Sequence, residues 1–186
     1  MDINNAKLQD AIDSKLLGTR KVFLWGQVDD KSARHVVDRL LYLELMEPGK
    51  EIQLIINSPG GYVTSGFAIY DTMVGISSPV STICAGLAAS MGAILLSAGE
   101  KGRRFALPHA RVMIHQPSGG AGGSAAEITI QIEELLKTKQ LGAEILARNC
   151  GQSVEKILKD FNRDYWMSAE ESVDYGIVDA KLEKLL

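Results

Sequence analysis

Residues 80–98 read VSTICAGLAASMGAILLSA. They lie in a run that carries no charged side chain from Thr72 to Gly99. A run this long raises the question of a membrane span. Pro79 and several glycines interrupt it, and its start, Val80 to Cys84, has the β-branched character of a strand. A buried strand followed by a buried helix accounts for it better. On this reading Gly86 turns the chain, and the helix runs to about Ala98. Ser90 then sits at the junction, among small residues.

Outward from this unit the pattern recurs in type, though not in sequence. IQLII (residues 52–56) is a continuous apolar run, as expected of a strand covered on both faces. Asn57-Ser58-Pro59-Gly60-Gly61 breaks it, and a helix follows to about Ser77. Earlier, residues 8–17 place Leu8, Ala11, Ile12 and Leu16 on one helical face, with Gly18 as the stop. Residues 22–25 read as a short strand, and Asp29 or Asp30 can cap a helix to about Met46. Later, residues 104–107 and 112–115 read as two short strands, and PSGGAGGS (residues 117–124) as a loop. Ser124 caps a long helix to about Asn149, Ser153 opens another, and Ser168-Ala169-Glu170-Glu171 has capping-box spacing before a stop at Gly176. Alternating strands and helices define an α/β protein with mainly parallel strands.

The chain has 186 residues, a length that suits one domain spanning 1–186 and buries about 70% of the unfolded surface. A net charge of −3 argues against a nucleic-acid partner. The polar opening MDINNAKLQD is unlike a signal peptide. Cys84 and Cys150 have neither metal-like nor disulfide-scaffold spacing, which fits a reducing compartment. The reading is therefore cytoplasmic, with no membrane, no metal and no cofactor held by this chain. Gly120-Ala121-Gly122-Gly123-Ser124-Ala125 formally matches a dinucleotide fingerprint, but no acidic residue closes a following strand. No Walker lysine appears.

Ligand sites in open α/β sheets form beyond the carboxyl ends of the strands. Three such ends here carry unusual residues: Gly60-Gly61, Ser90 and His115. Ala88-Ala89-Ser90-Met91-Gly92 resembles a nucleophile turn, whose small neighbours leave the hydroxyl uncovered and whose next amide, from Met91, faces the site. A capping or packing serine is the bland alternative. Of three histidines, His35 falls on an amphipathic helix and His109 in a turn. Only His115 stands where a base can meet Ser90. The orienting acid is left open by spacing among Asp160, Asp164, Asp174 and Asp179. Asp164, flanked by Arg163, Tyr165 and Trp166, is expected to be partly buried.

Taken together, INSPGG (56–61), IYDTM (69–73), STICAGLAASMGA (81–93), GRRFALPHARVMIHQPSGG (102–120) and RDYWMSAEESVDYGIVD (163–179) resemble the ClpP serine peptidase family, the proteolytic subunit of the Clp protease. The resemblance runs from about Leu8 to near the end of the chain. It implies the ClpP/crotonase-type fold, repeated β-β-α units in a superhelix, with a protruding helix-strand handle at about residues 121–150. It further implies a catalytic triad of Ser90, His115 and Asp164, and oxyanion amides on Gly61 and Met91. Substrate, an extended unfolded segment, is expected beside Gly61, Tyr62 and Val63 and beside Pro117, Ser118 and Gly119. The implied partners are copies of itself or a ClpP paralogue in two stacked heptameric rings, and a hexameric AAA+ unfoldase that alone uses ATP.

Two departures from the family pattern carry expectations. The family's apolar N-terminal pore segment is replaced by a short polar one at residues 1–7, which suggests a subunit working beside a longer paralogue. An acidic residue usual before the Arg-Asp pair is Asn162 here, and GGAGGS is smaller than the family's loop, which together predict a weaker contact between rings. Two further classes stand beside this one: a little-active structural ring subunit, and a crotonase-type thioester binder, which has no use for a Ser/His/Asp set.

Overall fold

Seven strands form one sheet, and helices carry the chain back over its faces between the parallel strands at its centre. The computed structural model describes residues 3–184. Its elements are α1 (Ile3–Gly18), β1 (Lys21–Trp25), α2 (Asp30–Met46), β2 (Ile52–Ser58), α3 (Val63–Gly75), β3 (Val80–Ala89) and α4 (Met91–Ser97). There follow β4 (Arg104–Ala106), β5 (Arg111–Ile114), α5 (Ala125–Cys150), α6 (Val154–Asp160), β6 (Tyr165–Met167), α7 (Ala169–Tyr175) and β7 (Ala180–Lys181). The helix expected from residue 8 thus already begins at Ile3. The polar opening segment lies partly outside the described residues.

The main path of the sheet is β1-β2-β3-β4-β7, with every neighbouring pair parallel. In β2, Ile52, Leu54, Ile55, Ile56 and Ser58 are all buried, as a strand covered on both faces requires. Helix α2 buries Ala33, Val36, Leu40 and Leu43, one face at helical spacing. Asp29 caps it and forms a reciprocal capping box with Ser32. Its far end lacks a basic residue in the last turn. Arg20 supplies one from outside. Its guanidinium is buried and donates to the carbonyls of Leu43 (3.0 Å), Lys50 (2.8 Å) and Glu51 (2.9 Å).

The central strand differs from the sequence reading. Gly86 does not end it; the strand continues to Ala89, and the turn falls at Ser90. Gly86 is a joint within the strand, at φ +103. On one side Thr82–Cys84 pair with β4, and on the other Leu87–Ala89 pair with β5. The β2–β3 register slips between Ile56 and Ser58. There the Asn57 carboxamide oxygen accepts the Leu87 N–H at 3.2 Å. A Cβ on Gly86 would stand 2.9 Å from that oxygen, so the joint needs glycine.

Strands β6 and β7, three and two residues long, were not expected, because such lengths carry no periodicity. Strand β6 is the antiparallel partner of β5. Helix α5, 26 residues and about 39 Å long, is buried only from Gly142 onward. Its first half exposes Ile130, Ile132 and Leu136, which makes it the helical part of a protruding handle. The strand part of the handle is not formed by this chain. Residues 117–122 are irregular, because a strand needs a partner and none is at hand. Instead, the Gln131 carboxamide accepts the Gly122 N–H and donates to the Gly122 carbonyl, both at 3.1 Å. Among the described residues no helix is long and apolar enough to cross a membrane.

Candidate active site

Strands β2, β3 and β5 run parallel, so their carboxyl ends meet at one edge. The three segments singled out in the sequence converge there. Ser90 joins β3 directly to α4 and takes φ 55, ψ −121, a conformation that L-residues avoid. Its own N–H donates to the Met113 carbonyl at 2.8 Å, which ties the turn to β5. Six of the seven α4 residues are buried, so the helix behind the turn is anchored and the strained geometry is held from both sides. A side chain on such a turn stands clear of the sheet, where a reactant can approach.

Gly60 packs directly against this turn. A Cβ there would lie 2.7 Å from the Ser90 Cβ and 3.0 Å from the Met91 nitrogen. Gly61 is equally constrained: the Val28 N–H donates to the Gly60 carbonyl and the Tyr62 N–H to the Val28 carbonyl, at 2.9 and 2.8 Å. A Cβ on Gly61 would overlap the Val28 carbonyl. Among the described residues, neither the Gly61 nor the Met91 N–H donates to a protein acceptor. Two backbone donors at one strand edge are therefore free for a ligand oxygen.

His115 follows β5, and Asp164 precedes β6. The ladder pairs Val112 with Met167, Met113 with Trp166 and Ile114 with Tyr165. One further step places His115 opposite Asp164, and Nδ1 of the imidazole lies 3.0 Å from Oδ1 of the carboxylate. The antiparallel pair that the sequence did not show is thus what brings these two side chains together. Asp164 is not partly buried as expected; its side chain is 59% exposed, because Tyr165 and Trp166 turn to the surface beside it. The other candidate acids are engaged elsewhere or lie apart. Asp160 accepts from the Tyr175 hydroxyl at 2.9 Å, Asp179 pairs with the buried Arg104 at 2.6 Å, and Asp174 is exposed on α7.

Ser90 and His115 line one narrow cleft of about 40 Å³. No hydrogen bond joins them among the described residues. Val63 and Pro117, two residues of the expected substrate-binding set, also line the cleft. Those two, with Ser118 and Gly119, also line an adjoining groove of about 300 Å³ along α5. Tyr62 is exposed and lines neither. Sequence reasoning missed the apolar wall of the cleft: Phe67 from α3, Ile94 from α4, and Thr138 and Leu146 from α5. Their helical spacing marks a packed face, and nothing in one sequence tells which packed face also borders a cleft. His35 and His109 are exposed, away from this edge. Burial pushes both cysteine thiols up to about 12, which makes them inert packing residues.

A strained serine turn, two amides and an imidazole–carboxylate pair at one edge of an α/β sheet are the parts that acyl-transfer chemistry calls for. The comparison with known families narrows that chemistry. The model of the Clp protease family matches residues 4–184, nearly the whole chain, and the protein belongs to that family. Membership implies a peptidase of the Clp type.

Proposed function

We propose that the chain is a serine endopeptidase subunit that cleaves unfolded polypeptide through Ser90, His115 and Asp164. The observation that carries this reading is the 3.0 Å contact between His115 and Asp164, on an imidazole that lines the same cleft as Ser90. With Nδ1 facing the carboxylate, Nε2 is left to act on the serine. In the acylation step His115 takes the Ser90 hydroxyl proton as the oxygen attacks a peptide carbonyl. The Gly61 and Met91 amides receive the developing oxyanion. The C–N bond breaks as His115 returns the proton to the departing amine. Water, deprotonated by the same imidazole, then hydrolyses the ester and restores the serine. Asp164 orients the imidazole and favours its cationic form throughout. Substrate lies extended along residues 61–63 and 117–119, where backbone groups pair as a strand.

The reading extends to an assembly. The exposed apolar half of α5 supports contact with further copies or a paralogue in stacked rings, with a separate AAA+ ATPase delivering substrate in the cytoplasm. A second reading, a subunit silent until assembled, draws on the missing Ser90–His115 hydrogen bond. Catalytic hydrogen bonds are often long before substrate binds, so both readings stand on one experiment. A fluorophosphonate is applied to the protein alone and to the assembled, partner-containing complex, and adducts are mapped by mass spectrometry. Adducts at Ser90 in the protein alone, abolished by Ser90→Ala, support the active peptidase. Labelling in the complex alone supports the silent subunit, and none in either overturns both.

A further inference from the structure

We propose that Gln116 is a positioning residue that holds Asp164 against His115, an inference that rests on the catalytic reading above. Asp164 cannot be held by burial, because its side chain is largely exposed. The ladder that delivers it, β6, is three residues long and ends at Tyr165. Short terminal ladders fray. What closes the open end is the next residue of the His115 strand. The Gln116 main-chain N–H donates to the Phe161 carbonyl at 2.6 Å. Its side-chain Nε2 donates to the Asn162 carbonyl at 2.9 Å, with the Asn162 Oδ1 a second acceptor at 3.4 Å.

The two bonds do different things. Phe161 is 2% exposed and anchored in the core as the end of α6. The main-chain bond therefore ties β5 to a fixed point. Asn162 is exposed, only two residues before Asp164, and its carbonyl has no other protein partner among the described residues. The Gln116 carboxamide is the side chain that restrains this bridge between a fixed helix end and the carboxylate. Because the acceptor is a carbonyl, only the NH₂ side of the carboxamide can face it, which sets the donor.

The test compares wild type, Gln116→Met, Asp164→Ala and the double variant. Methionine keeps the length and loses the donor. Peptide kcat and KM and the rate of Ser90 modification by a fluorophosphonate are measured for each. Gln116→Met is expected to lower kcat and the modification rate roughly tenfold, as a slightly misplaced orienting group does, with KM changed less than twofold. In the Asp164→Ala background it should do nothing more, since it acts through that carboxylate. Equal rates in wild type and Gln116→Met overturn the inference, as do losses that multiply in the double variant. If wild-type Ser90 is never modified, the proposed function fails by itself. The inference is then read from the His115 ring N–H resonance of ¹⁵N-labelled protein. Its loss by exchange in Gln116→Met supports the clamp, and an unchanged resonance overturns it.

Discussion

Gly60 is packed so closely against Ser90 that a Cβ on the glycine would stand 2.7 Å from the Cβ of the serine. The glycine also sits at φ +87. Two strand ends can therefore meet at this edge only because one of them lacks a side chain. Gly60→Ala must push the Ser90 turn or the Gly61 amide out of place. The expected loss in kcat/KM is roughly 100-fold, with the far-UV circular dichroism spectrum unchanged. Full activity in that variant would show that the two segments move apart freely.

The Ser90 backbone stores strain of about 1–3 kcal/mol. Glycine relieves it, because glycine accepts positive φ, whereas alanine keeps the Cβ and the strain. Both substitutions remove the hydroxyl and should abolish phosphonate labelling. In denaturant unfolding Ser90→Gly should be more stable than Ser90→Ala by about 1 kcal/mol. The reverse order would mean that the turn is not strained.

Asp164→Asn should lower kcat by roughly 10²–10⁴-fold, since the amide favours the wrong imidazole tautomer. Its effect on the melting temperature should be under a degree or two, because the side chain is largely exposed. A stopped-assay comparison with a short fluorogenic peptide separates the two effects. A fall in stability matching the fall in rate would make Asp164 a structural residue.

Glu44 holds the turn after α3. Its carboxylate accepts from the Ser77 hydroxyl at 2.5 Å and from the Ser77 and Ser78 N–H groups at 3.1 and 3.0 Å. Those bonds, the serine contacts foremost, hold its pKa down from 4.5 to about 2. A depressed folded-state pKa contributes stability that is fully present above about 4.5 and is lost as pH falls toward 2. Melting temperatures taken from pH 6 to pH 2 should therefore fall less steeply in Glu44→Gln than in wild type. Parallel curves would remove Glu44 from the acid response.

Arg20→Met should destabilise the protein by about 2–4 kcal/mol, since one buried and two part-buried carbonyls at the end of α2 and in the turn beyond it lose their donor. Chemical denaturation reads this directly. A change below 0.5 kcal/mol, the range of ordinary surface substitutions, would mean that water reaches those carbonyls in its place.

Much of this site is legible in the sequence. Apolar runs such as IQLII and caps such as Ser124 and Ser168 are local, and local chemistry survives in a single sequence. So is the clustering of Gly60-Gly61, Ser90 and His115, because parallel strands align their carboxyl ends. The turn lies four residues beyond the place the sequence indicates, at Ser90, since Gly86 looks like a stop and is a joint. The joint makes sense only when Asn57, from another strand, is seen at Leu87.

The sequence by itself determined the alternation of strands and helices, the helix caps, the small residues around Ser90 and the family resemblance, all of which depend on neighbours along the chain. Only the tertiary structure decided how Asp164, which spacing alone leaves open and the resemblance names, is brought to face His115, that it does so in the open, and that Gln116 closes the ladder beside it. The reason is physical. Strand β6 is too short to announce itself, and a three-residue strand exists only where β5 supplies its hydrogen bonds. Its register, and with it the meeting of residues 49 positions apart, is a property of the pair and of neither segment alone.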